Sequence, residues 1–287
     1  MSLTNVIVPS SWSEVYDALF EGTYNTRLSR HRSRYTFRGV SSKDYPLTSR
    51  LMRLGGQYAS VEQHLLRQFK KYAYQSLEEK GNEWFWLSVG QHYGLPTRLL
   101  DWSYSPDVAL HFATANTSAF DRDGAVWKVN YKAAHQSLPA ELLQIIEGES
   151  GAWILTTEVL GDMVRDLRTL DSLGKKHGAF LLFFEPPSID ERIFNQFSYF
   201  SMLSRPDLSL DTWLNDHREF WQKVIIPKEL KWEIRDKLDQ RNISERVLFP
   251  GLDGLCRWLA RNYLPTGSAA QSQVNLQPPG CSRKSND

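Results

Sequence analysis

Cysteine, long apolar runs and an excess of charge of either sign are all scarce in this sequence, and each scarcity removes a class of protein. The two cysteines in 287 residues are Cys256, within an apolar helical pattern, and Cys281, in a polar stretch. They exclude a disulfide scaffold and a thiolate metal centre, and they fit a reducing compartment. No apolar run approaches the roughly 20 residues of a membrane helix, and the opening MSLTNVIVPSSW has no charged-then-apolar signal pattern. A soluble, intracellular protein of the cytoplasm, without a membrane partner, is therefore expected. The 34 basic and 33 acidic residues leave a net charge of +1, so no global field draws the chain to nucleic acid, and such a partner is not expected. His-Glu-x-x-His, Cys-x-x-Cys, Walker and Gly-x-Gly-x-x-Gly patterns are also missing, which removes the common zinc, NTPase and Rossmann readings. No metal is expected.

What is present is an apolar complement large enough for one substantial core: 41% of residues are hydrophobic, with ten Trp. Ser11 to Glu14 reads as a capping box that opens an N-terminal packing helix through Trp12, Val15, Tyr16, Leu19 and Phe20. The stretch 34–40, RYTFRGV, has the composition of a strand ending at Gly39, and 57–80 carries apolar residues at the spacing of a long amphipathic helix. An aromatic helix is expected over 83–89. Further on, the patterns predict a strand over 125–131, helices over 138–147 and 156–170, and a central strand over 179–185 stopped by Pro186-Pro187. A second strand follows over 191–202, then a short strand over 222–226 stopped by Pro227, and helices over 228–240 and 252–263. Residues 265–287, rich in Gly, Ser, Gln, Asn and Pro, read as a disordered tail after one domain spanning 1–264. The total is an α+β fold, a mixed and mostly antiparallel twisted sheet flanked by helices.

The densest chemistry lies in 91–113, QHYGLPTRLLDWSYSPDVALHFA. Ser105 caps a helix, Pro106 suits its first position and Asp107 complements the positive end of its dipole. Val108, Ala109, Leu110, Phe112 and Ala113 then turn the helix inward. His92, Tyr93, Thr97, Arg98, Asp101, Trp102 and Ser103 are thereby delivered to a helix start, a place that favours a pyrophosphate or another anion.

Each candidate residue has an architectural alternative. Phe37-Arg38-Gly39 sets a planar cation beside a residue without Cβ, so that backbone and guanidinium approach a phosphate together; the alternative is a structural Arg38 paired with Asp101. Asp101 anchors Arg98 or Arg38 with Trp102 as a flat wall, around a ligand or simply within the turn. His92 is a proton carrier or a structural hydrogen bonder. Ser103 is a hydrogen bonder or cap and not a nucleophile, since no Gly-x-Ser-x-Gly elbow surrounds it. On the strand expected over 191–202, Gln196 shares a face with Arg192 and not with Glu191, facing either a pocket or an exposed polar edge.

Phe37-Arg38-Gly39, Gln91-His-Tyr-Gly-Leu-Pro-Thr-Arg-Leu-Leu-Asp-Trp102, Arg192-Ile-x-x-Gln196 and Leu248-Phe-Pro-Gly-Leu-Asp-Gly-Leu255 together resemble the FRG domain family over 12–263. A more distant similarity connects Phe37-Arg38-Gly39 and Ser103-Tyr-Ser105-Pro-Asp-Val-Ala-Leu-His-Phe-Ala113 with ADP-ribosyltransferases of the Arg–Ser–Glu type. That similarity implies an ADP-ribosyltransferase-like fold binding NAD between the Arg38 strand and the 98–105 turn. Arg38, Ser103 and Glu191 would be its catalytic residues. Phe37, Arg38, Gly39, His92, Tyr93, Thr97, Arg98, Asp101, Trp102 and Gln196 would hold the nucleotide, with Arg38 on a phosphate, Ser103 at the nicotinamide ribose and Tyr93 or Trp102 stacked on nicotinamide. The implied activity is transfer of ADP-ribose to a target or hydrolysis of NAD, which would suit a toxin or antiphage effector. Glu191 departs from the family pattern, because it precedes Arg192 rather than following it. The alternative is a module without catalysis, which binds a ligand or a protein partner and uses the same polar cluster structurally.

Overall fold

A computed structural model describes residues 5–148 and 153–264; the expected tail at 265–287 lies outside the described residues. The chain divides into two compact units, Met1–Ile243 and Ser244–Asp287. In the first, the strands are β1 (Val6–Ile7), β2 (Tyr24–Asn25), β3 (Arg30–His31), β4 (Tyr35–Val40), β5 (Leu100–Ser103), β6 (Gly124–Asn130), β7 (Leu181–Phe184), β8 (Ser198–Leu203) and β9 (Trp221–Ile226). Seven form one sheet in the order β1-β9-β6-β4-β5-β8-β7, antiparallel except for β1 against β9, while β2 and β3 pair as a separate ribbon.

The helices of this unit are α1 (Trp12–Phe20), α2 (Tyr58–Ala73), α3 (Glu83–His92), α4 (Pro106–Thr114), α5 (Tyr131–Gln136), α6 (Ala140–Gly148), α7 (Thr157–Met163), α8 (Leu167–His177), α9 (Glu191–Asn195), α10 (Leu210–Asn215) and α11 (Lys231–Gln240). Strand alternation sorts side chains onto two faces of the sheet. From β7 and β8, Leu182, Phe184, Phe200 and Met202 meet Trp84 and Leu87 of α3 and Leu170 of α8. Phe37, Val126 and Val224 of β4, β6 and β9 meet Leu19 of α1, Ala109 and Ala113 of α4, and Ile234 of α11. The opposite register, including Trp102, Trp127, Phe183 and Tyr199, packs with Trp213 and Trp221. Helix layers therefore cover different halves of one sheet, and the halves join at β4 and β5.

Several expected boundaries are corrected. The long helix of 57–80 is α2 alone, ending at Ala73. The helix of 156–170 breaks where Val164 is extended and its carbonyl accepts the Trp84 indole N–H at 2.6 Å; Asp166 then caps α8. Most consequentially, 191–202 is not one strand. Asp190 accepts the N–H groups of Arg192 and Ile193 to start the single turn of α9, Phe197 takes φ +49°, and β8 begins at Ser198. The shared-face argument for Arg192 and Gln196 fails with it. At the N-terminus the helix stands as read, with Ser11 accepting the Glu14 N–H, but the Glu14 carboxylate reaches the N–H of Ser10 rather than that of Ser11.

The second unit contains α12 (Glu245–Leu248) and α13 (Leu252–Asn262). Glu245 accepts two guanidinium hydrogen bonds from Arg261, each 2.8 Å, and Gly254 leaves room for the Phe249 carbonyl, which a Cβ would approach to 1.9 Å.

Buried His135 of α5 gives the first unit a pH dependence. Its Nδ1 lies 2.9 Å from the Trp153 carbonyl and its Nε2 accepts the Phe183 N–H at 2.8 Å, so both ring nitrogens are matched only in the neutral Nδ1–H form. Desolvation lowers its pKa from 6.5 to about 4. A base whose folded pKa is depressed contributes stability that is complete above its unfolded pKa and is lost as pH falls from about 6.5 toward 4. We expect denaturant unfolding to show a loss of about 3 kcal/mol across that window from this group. His135→Gln should flatten that part of the profile.

Candidate functional site

The two halves of the sheet are joined by little main-chain pairing. Between β4 and β5 the register contains the single pair Phe37 and Ser103, whereas β4 and β6 pair over six positions. Beyond that pair the strands separate, and the Arg38 side chain takes over: its Nη1 donates to the Asp101 carbonyl and lies 3.9 Å from the Asp101 carboxylate. A cleft of about 170 Å³ opens at this junction, lined by Phe37, Arg38 and Gly39 from β4 and Asp101, Trp102 and Ser103 from β5. Phe112 of α4, Gln196 and Ser198 complete it.

Arg38 is the main source of positive charge in the cleft. Burial lowers its pKa, Asp101 opposes this, and the guanidiniums of Arg53 and Arg50 reinforce it. One carboxylate and two further cations thus act on Arg38, a balance that favours an anion. Its Nε is buried and has no protein partner among the described residues, although its Nη1 is anchored. The side chain as a whole is 22% exposed, so a fork pinned at one nitrogen can still turn another N–H to a ligand oxygen.

Asp101 is held from behind by a relay. The Thr97 hydroxyl donates to Gln91 Oε1 at 2.6 Å, which orients the amide so that its Nε2 donates to both Asp101 carboxylate oxygens, at 3.0 and 3.1 Å. Gln91 and Thr97 are buried while the Asp101 side chain is 61% exposed, so the carboxylate is positioned by the interior but presented to the cleft. Ser103 Oγ accepts the Ser105 N–H at 3.0 Å, and Ser105 caps α4. Its hydroxyl remains on the cleft wall.

The other sequence-derived candidates fall elsewhere. Arg98 is 5% exposed and gives Nε and Nη2 to Glu62 at 2.8 and 2.6 Å and Nη1 to Asp171 at 2.8 Å. Burial works against its charge, but those carboxylates more than compensate and hold its pKa above the ordinary value. The void beside it, about 20 Å³, holds a water molecule at most. Arg98 and Thr97 are structural. His92 Nε2 meets Asp190 at 2.6 Å, which ties α3 to the cap of α9, and Tyr93 is exposed with its ring edge-on to His92. Glu191 is exposed in the first turn of α9 and does not line the cleft, because Asp190 caps a helix where a strand was expected. Trp102 reaches the cleft wall, but its indole donates to Ser201 at 2.8 Å and packs on Phe183, so it is core and not a free stacking surface.

Gly39 is needed for a different reason from the one its motif suggests. A Cβ there would stand 1.8 Å from the Ala109 carbonyl and 2.6 Å from the Ala113 N–H. The missing side chain seats α4 on β4. Phe112, Ser198 and the supporting Gln91 were not identified from sequence as site residues; Phe112 was assigned to the buried side of its helix. Among the described residues no group of three or more His, Cys, Asp or Glu could hold a metal ion.

Fold and site define a mixed α/β protein whose mostly antiparallel, helix-flanked sheet opens around an arginine at its centre. The chain carries an FRG domain: the family's model matches residues 33–122. That span contains Phe37-Arg38-Gly39 and all of 91–113, but not α9, β8 or the second unit. No curated protein and no solved structure matches the chain significantly. No helix among the described residues is long and apolar enough to cross a membrane.

Proposed function

We propose that the Arg38 cleft binds an NAD-type nucleotide through its pyrophosphate, and that the chain acts on it as an ADP-ribosyltransferase-like enzyme, by transfer of ADP-ribose to a target or by NAD hydrolysis. The observation that carries this reading is the state of Arg38 on a cleft wall, anchored at Nη1, still part-exposed and under the positive fields of Arg53 and Arg50. The arrangement of the neighbouring strands supports it. The elements bearing the aromatic-Arg-Gly triplet and the Ser preceding a helix are β4 and β5, neighbours in the sheet, and β8 beside β5 begins at Ser198, bringing the end of the third segment, Gln196, to the same cleft.

Glu191 does not serve as the acid in this reading. Asp101 supplies the carboxylate that stabilises the positively charged ribosyl group as nicotinamide leaves, because it lines the cleft and Gln91 holds its orientation. Gln196 and Ser103 donate hydrogen bonds to ribose hydroxyls. The second reading, a module that binds without turnover, is favoured by the contact of Asp101 with Arg38, which partly neutralises that carboxylate.

Calorimetric titration with NAD and with ADP-ribose, together with a nicotinamide-release assay, tests the proposal. Both ligands are expected to bind the wild type. Arg38→Ala should weaken them by about tenfold or more, the loss of one charge-assisted anion contact, and Arg38→Lys by less. Asp101→Asn should abolish nicotinamide release while ADP-ribose still binds; Glu191→Gln should behave as wild type. Absence of binding by either ligand, or unchanged affinity in folded Arg38→Ala, overturns the reading. Binding without release selects the non-enzymatic module.

A further inference from the structure

A larger cavity, about 460 Å³, adjoins the Arg38 cleft, with Phe37 lining both. Glu185 enters it directly after β7, its position set by the Leu155 carbonyl that accepts its N–H at 2.8 Å and by Pro186-Pro187 behind it. Tyr104, Tyr131 and Tyr199 line the same cavity. Burial raises the pKa of all three tyrosines and the negative charge of Glu185, which lines the same cavity, raises each further. The rings form a continuous set, Tyr199 lying 6.1 Å from Tyr131 at 22° and 5.8 Å from Tyr104 at 69°.

Among the described residues no cation lies within salt-bridge distance of Glu185. Arg32 and His31 also line the cavity, but both are exposed at its mouth, where water and salt screen them. A half-buried carboxylate without a counter-charge, surrounded by aromatic rings, attracts a cation twice: by direct charge and by the negative faces of the rings. The volume is sufficient for an apolar body as well as a charged head.

From these contacts we infer that the Glu185 cavity is a second ligand site, which takes an organic ammonium compound whose charged head pairs with Glu185 and whose apolar body lies against Tyr104, Tyr131 and Phe37. The inference stands independently of the nucleotide reading, since no residue of the Arg38 cleft except the Phe37 wall takes part.

Benzylammonium chloride titrated into the whole chain at pH 7 and low salt is the direct probe. It is expected to bind, and benzyl alcohol, with the same body and no charge, to bind about tenfold more weakly or worse. Glu185→Gln should reduce benzylammonium affinity by a similar factor with an unchanged unfolding midpoint. Tyr104→Ala, which removes a half-exposed ring, should weaken it too, and Arg38→Ala should leave it as it is. Equal affinity for the two probes, wild-type affinity in Glu185→Gln, or no binding of benzylammonium at millimolar concentration overturns the inference.

Discussion

Replacement of Glu62 by alanine is expected to destabilise the first unit by about 3–5 kcal/mol, the cost of leaving one member of a buried ion pair without its partner. Glu62 is 1% exposed and accepts three hydrogen bonds from Arg98: the backbone N–H at 3.1 Å, Nε at 2.8 Å and Nη2 at 2.6 Å. Without it, the guanidinium keeps only Asp171, whose side chain is 27% exposed, and the turn that leads into β5 loses the acceptor of its backbone N–H. Equilibrium denaturation by urea, followed by tryptophan fluorescence, measures the loss. A Glu62→Leu, Arg98→Met double variant should recover a large part of it, because removal of both charges also removes the desolvation cost. A loss below about 1 kcal/mol in the single variant would show that Arg98 is not held by this pair. The outcome also decides the role of Arg98: a ligand-binding arginine would leave stability nearly unchanged.

Gly39→Ala is expected to cost more than about 3 kcal/mol, at or above the upper end for overpacked cores, since the added atom meets main chain and not a flexible side chain. The Ala109 carbonyl and Ala113 N–H belong to α4, so relief requires the helix to move off β4 as a body. That helix starts at Ser105, two residues from Ser103, and carries Phe112 on the cleft wall, so the substitution should weaken any cleft ligand as well. Gly148→Ala is a fitting comparison. A Cβ there, in the last turn of α6, meets nothing within 4 Å and no positive φ stands against it, so a change of less than about 1 kcal/mol is expected. Thermal melts of both proteins check the contrast, and similar midpoints would show that α4 adapts freely.

The elements most legible in the sequence were those with a local physical cause. Ser105-Pro106-Asp107 specified a helix start without reference to the rest of the chain, and α4 begins there. The apolar run before Pro186 specified a strand, and β7 is buried at every position, but it stands at the edge of the sheet and not at its centre as the run suggested. The segment 191–202 was misread because alternation of polar and apolar residues over a few positions does not distinguish a strand from one turn of helix followed by a strand. Asp190 decided between them through two hydrogen bonds, and the positive φ of Phe197 reset the direction of the chain. The charged residues of 91–113 posed a different problem. Arg98 and Asp101 are three positions apart and equally polar, yet one points into a dry interior toward Glu62 and the other toward the cleft.

The sequence by itself determined the kind of fold and the helix that follows Ser103, because capping, periodicity and turn chemistry act over a few bonds. Tertiary structure alone decided that Gly39 serves helix packing, that Arg98 is spent on Glu62 and Asp171, that Glu191 stands outside the cleft, and that Glu185 faces three tyrosines. Those outcomes depend on distant partners, such as Glu62 and Asp171 at 36 and 73 positions from Arg98, or on the course of neighbouring strands, and a charged side chain has the same local preferences whichever distant partner it finds.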